Sequence, residues 1–134
     1  MTDFAHITPT AYLDLFASGR PFHLTLAHLV EQDEAYASWY ASRDTSRSIM
    51  PYINIMDNSA FEMYKQGRPM YETDKLIPMA EKIKADYVVM SDYPGEHYMK
   101  TVNKAKEMAP ELREAGFGTF FVPQGEEGSI EQLL

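Results

Sequence analysis

The stretch Tyr87-Val88-Val89-Met90-Ser91-Asp92-Tyr93-Pro94-Gly95 decides the fold. Its apolar residues run unbroken instead of alternating with polar ones, which predicts a short strand buried on both faces, the habit of a parallel sheet. The run stops at a serine and an aspartate and passes into a turn composition, Tyr-Pro-Gly. Two other segments have the same form. Ile53-Asn54-Ile55-Met56 runs into Asp57-Asn58-Ser59-Ala60-Phe61-Glu62, and Thr119-Phe120-Phe121-Val122 runs into Pro123-Gln124-Gly125. Phe22 to Leu26 supplies a further strand ahead of them. The four starts recur about every 32 residues, close to the ~30 of a β-α unit.

Helical patterns fill the connectors. Leu76, Met79, Ala80 and Ile83 follow the i, i+3, i+4, i+7 spacing of a buried stripe. Val102, Ala105, Ala109 and Leu112 form a second stripe, which Gly116 or Gly118 would end. Pro78 is expected near a helix start and Pro110 at a kink or restart, because proline cannot donate an interior helix bond. Asp33 to Arg43 is expected to be a helix carrying Tyr36, Trp39 and Tyr40, with Trp39 facing a core. Residues 1–21 read as a lead-in with a short helix over Thr10 to Ala17.

Strand and helix alternating at this period imply right-handed crossovers and a parallel α/β fold. An open doubly wound sheet and a closed barrel both use that arrangement. A (β/α)8 barrel takes ~250 residues, so four β-α units resemble the first half of a TIM barrel, with residues 1–134 as one incomplete domain. At the C-terminus, Ser129-Ile130-Glu131-Gln132 has the form of a capping box, but only Leu133 and Leu134 follow. A helix of one turn is marginal, and the expectation is a truncated chain.

Composition narrows the function classes. The chain has no cysteine, which excludes disulfides and thiolate metal sites. The first residues lack a basic segment followed by an apolar one, and no apolar run approaches the ~20 residues of a membrane helix. A soluble, cytoplasmic protein with no membrane partner is expected. The net charge is −8, from 20 acidic and 12 basic residues. The basic clusters are small, Arg43 with Arg47 and Lys100 with Lys104 and Lys106, which argues against a nucleic-acid-binding module acting alone.

Catalytic groups of parallel α/β folds gather at the C-terminal ends of the strands. Here those ends carry Asp57 with Asn58, then Asp92, then Gln124 with Gly125. Two carboxylates and an amide suit a flat, hydrogen-bonding heterocycle, because carboxylates accept from N–H groups and an amide both donates and accepts. Each motif also has a structural reading. Ser59-Ala60-Phe61-Glu62 matches a capping box, which would make Asp57 and Asn58 shapers of a turn. Asp92-Tyr93-Pro94-Gly95 is ordinary turn composition, and Gln124-Gly125 could be a plain strand exit. Together, at successive strand ends, they favour a site. His23 and His28 are five apart and would lie on opposite faces if both were in the strand, and His6 and His97 have no partner at ligand spacing, so no metal site is expected. Gly116-Phe117-Gly118 precedes a strand, the wrong order for a phosphate loop.

At these motifs the sequence resembles the tRNA-guanine transglycosylase (queuine tRNA-ribosyltransferase) superfamily, including the phage and bacterial relatives that place 7-deazaguanines in DNA. The family's Asp-Ser-Gly-Gly-Phe-type motif is matched by Asp57-Asn58-Ser59-Ala60-Phe61. Its mid-barrel aspartate motif is matched by Ser91-Asp92-Tyr93-Pro94, and its Gln-Gly motif by Pro123-Gln124-Gly125. The likeness runs in order from residue 22 to residue 134. It implies base exchange, in which an aspartate attacks the ribosyl C1′, guanine leaves and a 7-deazaguanine replaces it. Asp57 would then be the general acid/base. Asp92 and Gln124 would hydrogen-bond the base, and Asn58 and Gly125 would line the pocket.

The resemblance implies tRNA or DNA as the polymer and a cytoplasm, or that of a virus-infected bacterium, as the setting. The family's nucleophilic aspartate and zinc-binding cysteines and histidine come later than residue 134, so no cofactor and no catalysis are expected of this chain alone. The Ser-Gly-Gly of the family motif is Asn58-Ser59-Ala60 here, a departure that bears on pocket shape. Two further functions stay open. One is a non-catalytic half-barrel that self-associates or pairs with a chain supplying the second half. The other is an unrelated barrel enzyme acting on a small polar metabolite.

Overall fold

A computed structural model describes residues 5–43, 52–126 and 128. The C-terminal capping box at Ser129 to Leu134 and Arg47 of the first basic cluster lie outside them. Four strands, β1 (Phe22–Leu26), β2 (Ile53–Asp57), β3 (Tyr87–Val89) and β4 (Gly118–Phe120), form one sheet. All pairs are parallel and the order is sequential, β1-β2-β3-β4. The helices are α1 (Ala27–Gln32), α2 (Glu34–Ala41), α3 (Ala60–Gln66), α4 (Thr73–Lys82) and α5 (Tyr98–Glu114). The chain is therefore α/β. Its strand order never reverses, as it must in a doubly wound sheet.

Sequential order with right-handed crossovers puts every helix on one face of the sheet, and burial follows. His23, Thr25, Asn54, Met56 and Val88 on that face are fully buried. Met56 and Val88 pack with Tyr36 and Tyr40 of α2, Leu76 and Ala80 of α4, and Met108 and Leu112 of α5 in one core. On the other face Ile53, Tyr87 and Phe120 keep 36%, 38% and 42% of their surface exposed. This corrects the expectation of strands buried on both faces for β2 and β4, whereas in β3 Val88 and Val89, on opposite faces, are both buried. The unbroken apolar runs arise because the open face is itself apolar.

Thr25 and Asn54 on the covered face are hydrogen-bonded. Thr25 Oγ1 donates to Asn54 Oδ1 at 2.9 Å, and Asn54 Nδ2 donates to the Ile83 carbonyl at 3.0 Å. The buried Tyr36 hydroxyl accepts from Leu26 N–H at 3.1 Å, which ties α2 to the end of β1.

The helix expectations need several corrections. Pro78 lies inside α4, which begins at Thr73, and Pro110 lies inside α5, which does not restart there. Both prolines are exposed, so the carbonyls they leave unpaired stay within reach of water. The helix expected from Asp33 starts one residue later, with Asp33 as its cap accepting from Tyr36 N–H. Thr10–Tyr12 is a 3₁₀ turn followed by a π-type turn over Leu13–Ala17, not one helix. The lead-in is bound to the sheet, because His6 pairs in parallel with His23 on the outer edge of β1. Trp39 is partly buried against the core, and its indole N–H donates to Asp14 at 2.6 Å.

Candidate functional site

β2 ends at Asp57 and the chain turns sharply into α3. Asp57 Oδ2 accepts from Ser59 N–H at 2.9 Å, and Asn58 Oδ1 accepts from Ala60 N–H at 2.8 Å. These two side chains supply the turn's acceptors, and Ser59 does not. Ser59 sits in the left-handed region at φ 57° and its hydroxyl makes no cap bond, which corrects the capping-box interpretation of Ser59 to Glu62. Asn58 is 3% exposed and its amide is fully used. Both Nδ2 hydrogens are donated, one to the Met90 carbonyl and one to Asp92 Oδ1, each at 2.6 Å. Asn58 thus joins the end of β2 to the end of β3.

Asp92 is 4% exposed, and the Gln124 side chain lies near enough to lower its pKa. Burial pushes its carboxyl above the usual range, and the Asp57 charge pushes the same way; the Asn58 bond and the nearby Gln124 amide pull it back. Asp57 is raised as well, chiefly by burial, against the pull of the Ser59 amide and the charge of His28. Two crowded carboxyls, both shifted towards the protonated form, are a common mark of a site that handles protons or binds N–H donors.

Of the residues singled out in the sequence, Asp57, Asn58, Asp92 and Gln124 come together at the strand ends. Gly125 follows Gln124 in the loop after β4, half-buried. β4 ends at Phe120, so Gln124 reaches Asp92 from the loop and not from the strand itself.

Two residues were passed over in the sequence. Ser59 Oγ lies 2.8 Å from His28 Nδ1 and accepts from His28 N–H at 3.0 Å. When Nδ1 is unprotonated the hydroxyl donates to it. A signal for His28 was present: it falls just after β1, where strand-end residues collect. His23, in contrast, is buried on the helix-covered face between Tyr40 Oη at 3.1 Å and the Arg20 carbonyl at 2.7 Å.

Among the described residues no group of three His, Asp or Glu side chains is placed to hold a metal ion, and no helix is long and apolar enough to cross a membrane. Compared with protein-family models, with curated proteins and with solved structures, the chain finds no match.

Proposed function

We propose that residues 22–126 form the first half of a (β/α)8-type barrel from a base-exchange glycosyltransferase, and that the strand-end site holds a purine or 7-deazaguanine base. The observation that carries this is the convergence of Asp57, Asn58, Asp92 and Gln124 from three successive β-α units. A guanine-like edge presents N–H donors beside a carbonyl. Asp92 accepts from the donors, and the Gln124 amide beside it can donate to the carbonyl. Asn58 spends its hydrogens internally and orients Asp92, a different role from lining the pocket. Asp57 is the proton carrier, with burial holding its pKa up. Gly125 leaves room for the base to approach the backbone. The sequential strand order supports the barrel half, because a barrel winds in one direction.

In the resembling family the attacking carboxylate lies on a later strand and exchange takes place on tRNA or DNA. That chemistry needs groups beyond these residues, and the 134-residue chain alone is expected to bind base without exchanging it. The family's zinc is held by cysteines and a histidine. This chain has no cysteine, so its residues do not fit that metal.

Calorimetry with guanine and with 7-deazaguanine tests the proposal. Binding that disappears in Asp92→Ala while the far-ultraviolet spectrum stays unchanged is expected. No binding of either base by the parent chain would overturn it. One observation favours a second function, a non-catalytic assembly module: Ile53, Tyr87 and Phe120 leave the open sheet face apolar. A stable dimer indifferent to every base would favour that function.

A further inference from the structure

We propose that the cleft between the α3–α4 loop and the β3–α5 loop is a second binding site, which takes a nucleotide flanking the base held by Asp92. This rests on the base-recognition function proposed above. The cleft has a volume of about 420 Å³ and is walled by Tyr64, Tyr93, Arg68, Lys100 and two prolines, Pro69 and Pro94. Its size falls within the ~300–1,000 Å³ of small-molecule sites. Aromatic faces beside cations are the combination by which proteins hold single-stranded nucleotides: the base stacks and the phosphate meets the charge. Tyr64 is 60% exposed, an aromatic ring available for stacking.

The cations differ in availability. Arg68 is held by Glu31 at 2.7 Å and lies over the Tyr71 ring, so it forms a fixed wall. Lys100 sits 4.4 Å above the Tyr93 ring and pairs with Glu96 at 2.7 Å. Both partners of that pair are about half exposed, at 50% and 49%, and an exposed pair adds little to stability. A phosphate can therefore replace the Glu96 carboxylate on Lys100. Glu72, the other carboxylate lining the cleft, is ion-paired to Lys104.

The cleft and the strand-end site share a wall. Asp92 turns its side chain to Asn58, while the next residue, Tyr93, lines the cleft and has its N–H bound to Thr101 Oγ1 at 3.1 Å. A chain of nucleotides with one base at Asp92 would pass its neighbour directly to Tyr93. This also suits an acidic protein, since it needs one available cation and not a basic surface.

The test uses the 134-residue chain, a fluorescein-labelled single-stranded pentanucleotide with a central guanine, and free guanine. Tyr64→Ala and Lys100→Ala are surface changes that leave Asp92 and Gln124 in place. Each is expected to weaken the pentanucleotide by about fivefold or more while guanine binds as before. Lys100→Ala is also expected to flatten the salt dependence by about one phosphate. Pentanucleotide affinity unchanged in both variants, or no tighter than that of guanine, would overturn the cleft while leaving base recognition intact. Pentanucleotide binding that depends on Tyr64 and Lys100, in a chain that ignores guanine, would keep the cleft as a nucleotide site and remove the base-recognition proposal.

Discussion

Asn58 and Asp92, 34 residues apart in the chain, are joined by a 2.6 Å hydrogen bond in which the amide donates to the carboxylate. The two residues keep only 3% and 4% of their surface exposed. The bond links two β-α units through a charged group held in a poorly solvated place. Such an arrangement opposes stability and is retained where a site needs it.

The first prediction follows from the direction of the carboxyl shifts. A carboxyl whose pKa is raised on folding stabilises the fold most when protonated, and that contribution is lost as pH rises through its unfolded and then its folded value. At neutral pH Asp92 therefore works against the fold. Asp92→Asn is expected to stabilise the chain at pH 7 and to lose base binding. Asn58→Ala, which strands the buried carboxylate, is expected to destabilise it by about 1–3 kcal/mol. Urea denaturation of both variants at pH 7 checks the opposite signs.

His23 titrates in the other sense. Burial, aided by the charge of Arg43, lowers its pKa to about 4, against the pull of the Arg20 carbonyl. The folded state holds the ring neutral while the unfolded chain takes up a proton. The stabilisation is complete above the unfolded value of about 6.5 and is lost as pH falls towards the folded value, up to about 3 kcal/mol in all. Denaturation midpoints from pH 8 to pH 4 should fall in the parent chain and flatten in His23→Gln. Equal slopes in the two proteins would refute this.

Gly118 lies in register with Tyr87 across β3 and β4. A Cβ at Gly118 would collide with ring carbons Cδ1 and Cε1 of Tyr87. Gly118→Ala is expected to destabilise by about 1–3 kcal/mol, as overpacking does. The double variant with Tyr87→Ala should recover most of that loss, and a thermal-melt cycle of the four proteins measures the coupling.

At Ser59 two effects separate. Its left-handed backbone favours glycine, while its hydroxyl satisfies the His28 N–H. Ser59→Ala keeps the backbone strain and loses the bond, for about 1–2 kcal/mol of destabilisation. Ser59→Gly loses the same bond but relieves the strain, and should melt above Ser59→Ala. The reverse order would mean that φ of 57° is not a strained position for this chain.

The four strands were legible in the sequence to within a residue or two because their apolar runs are bounded by Asp57, by Ser91 with Asp92, and by Pro123. Strand ends also carry chemistry by the topology of parallel sheets, so Asp57, Asp92 and Gln124 could be chosen without coordinates. The prolines misled because a helix with an exposed carbonyl on its solvent side tolerates the missing bond, and exposure is not written in local sequence. His28 was missed because its partner Ser59 lies 31 positions away, a meeting that no local spacing announces.

By itself the sequence determined the class of fold, the period of the β-α units and the residue types at the strand ends, because periodicity and turn chemistry are local. Only the tertiary structure decided that one sheet face stays open, that Asn58 orients Asp92, and that Ser59 and His28 meet. Those relationships depend on strand order and on which residues 30 or more positions apart become neighbours, and burial is then the largest of the influences that push Asp57 and Asp92 up and His23 down.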